Sequence, residues 1–161
     1  MQSRRSFLKL TILSSAVFLT SGCDLIAVIT PKETLRLLQE ELFPKVKELG
    51  INTTKYMEII FAHSRITQEE KELLKRGVKM LNEAAYESYG KHFTALTTLQ
   101  RKALLNATAK TQWGVAFMDA VLRYTLEALL GDPIYGANID EAGWKWLAYT
   151  GAKPQPTKAY L

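Results

Sequence analysis

Residues able to do acid–base, nucleophilic or metal chemistry are few in this 161-residue chain, and their spacing does not gather them. The single cysteine, Cys23, cannot close an internal disulfide or supply a thiolate zinc or iron–sulfur site, and no C-x-x-C-H haem attachment is present. His63 and His92 lack a second ligand at i+3 or i+4, so each reads as a surface or half-buried residue. Glu69, Glu70 and Glu72 crowd a helix start, where carboxylates complement the macrodipole. Asp132, Asp140 and Glu141 could pair for proton transfer, but no histidine or arginine lies near them in sequence, and capping is their ordinary use. Asp140 in particular is placed to cap a helical turn leading to Trp144. G-x-S-x-G, H-E-x-x-H, P-loop and G-x-G-x-x-G patterns are all missing. No catalytic, metal or cofactor-binding residue is therefore assigned to this chain.

The elements that would position any site are helical. From Pro31, Leu35, Leu38, Leu42, Val46 and Leu49 recur at threes and fours with charged residues between them, giving one core face and one wet face. Pro44 should end or kink this helix. After Gly50-Ile51-Asn52, Thr53 or Thr54 can cap a short helix to about His63. Thr67-Gln68-Glu69-Glu70 has capping-box spacing and opens a long helix with the stripe Leu74, Val78, Leu81, Ala85, Tyr89 and a stop at Gly90. Thr97 to Gln100 repeats the cap before Leu104 and Leu105. A last helix spans about Gln112 to Leu130, with Phe117, Val121, Leu122, Leu126, Leu129 and Leu130 on its apolar face. The expected fold is all-α: about five helices in an irregular bundle, then an ordered non-helical C-terminal loop and an extended tail.

The first 23 residues have a basic start, an apolar stretch from Leu10 to Leu19, and small residues before Cys23, the layout of an export signal. The apolar stretch is about half the ~20 residues a bilayer span needs. Ser3-Arg4-Arg5-Ser6-Phe7-Leu8-Lys9 resembles the twin-arginine signal, with Arg4, Arg5, Phe7 and Leu8 at its defining positions; that route exports folded cargo. Thr20-Ser21-Gly22-Cys23 resembles a lipobox, which would make Cys23 the lipidated residue and residues 24–161 one mature domain. Acyl chains on Cys23 would anchor the chain at ~0.8 kcal/mol per buried CH₂. Asp24 looks like the residue that retains such lipoproteins at the inner membrane, so the expected location is its periplasmic face. The net charge of +5 includes three charges from Arg4, Arg5 and Lys9, and no basic run with interleaved aromatics suggests nucleic acid.

The stretch from Gly131 to Gly151 departs from the helical pattern. Gly131 and Asp132-Pro133 can stop the preceding helix, with Gly131 in the left-handed conformation, and Gly136 and Asn138 suit positive φ. Its rings, Tyr135, Trp144, Trp146 and Tyr149, must rest on the chain's own helices or on another protein.

Asp132-Pro133-Ile134-Tyr135-Gly136-Ala137-Asn138, then Gly143-Trp144-Lys145 and an aromatic-x-Gly ending, resembles the signature of the gluconate 2-dehydrogenase subunit 3 family. Phe93, Leu96, Gln100, Arg101, Leu104 and Leu105, and Leu42-Phe43-Pro44 upstream, extend the resemblance. Ala137, Ala148 and Thr150 stand where the pattern has Gly, Gly and Pro. The resemblance implies a non-catalytic small subunit. It would bind an FAD-dependent dehydrogenase large subunit of the glucose-methanol-choline type that oxidises a sugar, sugar acid or alcohol. The flavin would sit in that partner, a multihaem cytochrome c would accept its electrons, and the small subunit would supply the export signal. It also implies partner-binding roles for Asp132, Pro133, Tyr135, Gly136, Asn138, Gly143, Trp144 and Lys145. The competing expectation is a free-standing helical lipoprotein whose motif serves only its own fold.

Overall fold

Leucine-rich stripes at helical spacing can be buried only against one another, and the computed structural model, which describes residues 20–151 and 154–159, resolves them into helices packed on a shared core. Among the described residues there are seven α-helices and no strands, so the all-α expectation holds while the count of five does not. The helices are α1 (Thr20–Leu42), α2 (Lys45–Glu48), α3 (Thr53–Ala62), α4 (Gln68–Tyr89), α5 (Thr98–Thr108), α6 (Gln112–Leu130) and α7 (Ala142–Trp146). One-turn 3₁₀ segments lie at Phe93–Ala95, Pro133–Tyr135 and Ile139–Glu141. The C-terminal stretch expected to be non-helical thus contains two 3₁₀ turns and α7, each too short to show as a periodic apolar pattern.

Helix α1 starts earlier than expected and passes through both Cys23 and Pro31. The boundary expected at residue 23 therefore falls inside an element. Arg4, Arg5, Phe7 and Leu8 lie outside the described residues, as does the side chain of Cys23. None of the described helices is long and apolar enough to cross a membrane.

The main core joins α1, α3, α4, α5 and α6 through Leu35, Leu38, Met57, Ile60, Leu74, Leu81, Phe93, Leu104, Phe117 and Val121, all buried. A fully buried Leu or Phe of this kind contributes about 2–3 kcal/mol. Between helices α4 and α6 the Phe117 ring occupies the space a side chain at Gly77 would need. On α6 the buried face is Phe117, Val121, Tyr124, Ala128 and Leu129, whereas Leu130 is exposed.

The caps explain the boundaries. Pro44 does end α1, and α2 follows it. Asn52, not Thr53 or Thr54, caps α3: its Oδ1 accepts from the Lys55 amide at 3.0 Å, while Thr53 is buried. At α4, Thr67 Oγ1 accepts from the Glu70 amide at 3.2 Å, but Glu70 turns its carboxylate to Arg123 of α6 instead of closing the box. The box at Thr97 and Gln100 is complete, with bonds of 2.9 and 3.3 Å. Arg101 binds the Glu41 carboxylate through Nε at 2.6 Å and the Leu96 carbonyl through Nη1 at 2.6 Å, tying α5 to α1.

A second, smaller core of Val46, Ile51, Ala128, Leu129 and Ala137, with Phe43, Leu49, Tyr56, Leu126 and Ala142 against it, seats the C-terminal segment on the end of α6. Tyr56 Oη of α3 donates to Glu127 Oε2 of α6 at 3.1 Å beside it. Burial and the Glu127 carboxylate raise the Tyr56 phenol well above its ordinary value, so it stays protonated.

Candidate partner-binding site

The end of α6 sets the problem that the following residues solve. Its last carbonyls have no partner within the helix and must be satisfied from elsewhere. Gly131 closes the helix, its amide donating to the Glu127 carbonyl at 2.7 Å, but in an extended conformation (φ −65°, ψ 162°), not the expected left-handed one. The chain then needs side chains to fold back, and the signature supplies them.

Asp132 Oδ1 accepts from the Ile134 amide at 2.9 Å, and Pro133 sets the following 3₁₀ turn, which ends at Gly136 with φ 73°. Asn138 is fully buried. Its Nδ2 donates to the Gly131 carbonyl at 3.0 Å, and its Oδ1 accepts from the Gly143 amide at 2.8 Å. It does so at φ −84°, so its value lies in its amide group, not in the positive φ expected of it. Asn138 also takes the role expected of Asp140, which makes no side-chain cap and sits at φ 54°. Gly143 lies so close to Leu129 that any Cβ would overlap the Leu129 carbonyl oxygen. Trp144 is buried, and its indole Nε1 donates to the Leu130 carbonyl at 2.7 Å. The Asn52 amide donates to the Ala137 carbonyl at 3.0 Å, fastening the loop to the start of α3.

Of the residues expected to bind a partner, Asn138, Gly143 and Trp144 therefore use their polar groups and close contacts within this chain. Asp132, Pro133, Tyr135 and Gly136 are half-buried and shape the turn; Lys145 is exposed. What the fold leaves outside is a set of apolar side chains of which the signature contains only Tyr149, the aromatic of its ending. Ile139, Trp146, Leu147 and Tyr149 are each 43–52% exposed, and Leu130, the last residue of α6, is exposed as well. The Trp146 ring meets Phe43 edge-on at 6.1 Å, and Tyr149 stands edge-on to Trp144 at 5.5 Å. Of these, Trp146 and Tyr149 were legible in the sequence as rings needing a surface, and Ile139 and Leu147 were not singled out. The sign that separates them is angular: on α7, positions 144 and 146 lie about 200° apart.

Two of the three departures from the signature have visible consequences. Ala148 has φ 54°, a left-handed position in an alanine, where the pattern has glycine. Ala137 is buried in the second core and has no positive φ. Tail residue Gln155 reaches back to Glu141 at 3.3 Å.

No cluster of three or more His, Cys, Asp or Glu able to hold a metal occurs among the described residues. His63 caps the end of α3, with Nδ1 accepting from the Arg65 amide at 3.0 Å, and His92 is exposed beside Tyr86.

The fold and site together define an all-α domain whose C-terminal signature clamps the end of α6 and leaves apolar side chains exposed beyond it. The sequence profile of the gluconate 2-dehydrogenase subunit 3 family matches residues 24–151, and the chain belongs to that family. It is by that membership an accessory subunit that associates with other gluconate 2-dehydrogenase subunits. No curated protein and no solved structure matches the chain.

Proposed function

We propose that this chain is the small subunit that binds a glucose-methanol-choline-type FAD dehydrogenase acting on a sugar, sugar acid or alcohol, supports its assembly, and carries it through the twin-arginine export route. The observation that carries this proposal is the exposure of Ile139, Trp146, Leu147 and Tyr149 along the segment that the buried signature fastens to the end of α6. Exposed aromatics such as Trp146 and Tyr149 suit the centre of a protein interface, where Trp and Tyr dominate binding. The signature residues act through position: they hold the display, and the neighbouring rings make contact. FAD resides in the partner, and a multihaem cytochrome c accepts the electrons. Arg4 and Arg5 give the folded pair its export address, and Cys23 carries the lipid that keeps it at the periplasmic face of the inner membrane.

The interface is tested by co-purifying the partner with two variants. Trp146→Ala is expected to weaken the complex by about 2 kcal/mol with little loss of subunit stability, whereas Trp144→Ala should cost about 3 kcal/mol of stability. Unchanged partner recovery with Trp146→Ala would sink the surface assignment. For export, Arg4→Lys with Arg5→Lys should strand the partner in the cytoplasm; full partner activity in the periplasm of that strain counts against the carrier role.

The second reading, a free-standing helical lipoprotein, draws support from Asn138, Gly143 and Trp144 being committed within the chain. Its distinguishing result is a lone, flavin-free species no larger than the processed chain and its lipid, extracted from the native membrane.

A further inference from the structure

A cleft of about 340 Å³ opens where α1, α2, the start of α3 and Ile139 meet, and its lining includes Arg36, Glu40, Lys47, Thr53 and Thr54. Thr53, the first residue of α3, is only 4% exposed, and its hydroxyl makes no hydrogen bond within the chain. Among the described residues, the side-chain polar atoms that are both unpaired and closed to solvent belong to Gln39 and Tyr124. Thr53 Oγ1 is therefore unpaired but open, and the space that Thr53 borders is this cleft. A valine of the same shape would bury there without an unmet hydroxyl, so the oxygen is accounted for by something in the cleft that completes it.

The backbone beside it points the same way. At the start of this ten-residue helix the Thr53 amide donates to the Ile51 carbonyl at 3.0 Å, the Lys55 amide to Asn52 Oδ1 at 3.0 Å and the Tyr56 amide to the Asn52 carbonyl at 3.2 Å. The Thr54 amide has no such acceptor. The positive end of the helix dipole thus keeps one unmet donor on the residue that follows Thr53, and Thr54 lines the cleft too.

The charges set the class of ligand. Arg36 is bound by Glu33 and Glu40 together, so the Glu40 carboxylate at the cleft is neutralised. Lys47 is 73% exposed and meets Glu40 only at 3.8 Å, beyond hydrogen-bond reach, which leaves its ammonium to a ligand. One cation, one hydroxyl and one amide suit a group with a single negative charge and two acceptor oxygens. A doubly charged oxyanion would bring a second charge that has no cation to meet it and that Glu40 opposes.

We propose that this cleft binds a carboxylate, held by the Thr53 hydroxyl, the Thr54 amide and the Lys47 ammonium. A free organic acid and an Asp or Glu side chain of a docked subunit present the same chemistry there. Binding of the free acid does not rest on the partner reading above and is measured on the chain alone.

The test titrates acetate, acetamide and sulfate into the purified full-length chain and follows the backbone amides by NMR. Acetate should shift the Thr54 amide and bind about tenfold more tightly than acetamide or sulfate. Thr53→Val, which keeps the shape of the side chain, and Lys47→Met, at an exposed position, should each weaken acetate about fivefold or more with no fall in melting temperature. Acetamide binding as tightly as acetate, sulfate binding best, a Thr54 amide that does not respond, an acetate affinity unchanged in either variant, or no binding would each overturn the proposal. Saturation transfer to acetate in the co-purified complex then identifies the source: its persistence assigns the site to a free acid, and its loss assigns it to a carboxylate of the partner.

Discussion

Trp144 and Trp146 are two positions apart and do opposite things. The first is buried with its indole N–H on the Leu130 carbonyl; the second is 43% exposed against Phe43. A one-turn helix puts residues two apart on opposite faces, so a motif centred on Trp144 marks the anchor and its neighbour marks the display. The same scale explains Ala148. A Cβ in the left-handed region costs about 1 kcal/mol, and glycine there avoids it at the expense of a freer unfolded chain. Ala148→Gly is expected to raise stability by about 0.5–1 kcal/mol in urea denaturation. A loss of stability would mean that the methyl group makes contacts outweighing the strain.

Between the end of α6 and α7, the signature acts as a clasp more than as a binding epitope. Asn138 ties the Gly131 carbonyl to the Gly143 amide, and Trp144 takes the Leu130 carbonyl, so that two of the helix's unpaired C-terminal carbonyls find side-chain partners. Removing the amide leaves buried groups unpaired. Asn138→Ala should cost about 2–3 kcal/mol, and the Gly143 amide should exchange with solvent well before the core amides of α4 and α6. Simultaneous loss of protection in all three places would instead make the clasp part of one cooperative unit.

At the scale of the molecule, ionisable groups set the pH range of stability. Glu33 is held below the usual carboxylate range by hydrogen bonding to Arg36, Glu58 by Lys32 and Glu72 by Lys75, and Glu70 is lowered too, by the nearby Tyr124 hydroxyl, which it does not reach at hydrogen-bond geometry, and then by its ion pair with Arg123. A lowered folded pKa means stability that is complete above the unfolded value of about 4–4.5 and lost as pH falls through the lowered values. Tyr56 and Tyr124 are raised, mainly by burial, so their contribution is complete below about pH 10 and declines above it, where only unfolded phenols ionise readily. Urea midpoints should therefore form a plateau between about pH 5 and 10, with an acid limb made shallow and salt-sensitive by the exposure of these pairs. Glu70→Gln should flatten that limb; an unchanged acid limb would show that the Tyr124 and Arg123 neighbourhood does not matter to it.

The all-helical class, the span of α6 and the caps at Thr67 and Thr97 were readable in the sequence, because apolar period, capping residues and helix breakers act within a few residues of chain. The family was readable too, since its motif is contiguous. The start of α1 was not, because Pro31 weakens a helix by one lost backbone hydrogen bond and a ring clash but does not always end it. Nor could local sequence show that Asn52 and not Thr53 caps α3, or that Asn138 and not Asp140 serves the turn before α7, since each choice depends on which side chain the core buries. Sequence alone determined that the rings of the C-terminal stretch needed a surface. The tertiary structure decided which of them it buries and which it leaves outside, because only the packing of residues 131–147 on the end of α6 determines which face of so short a helix is inside.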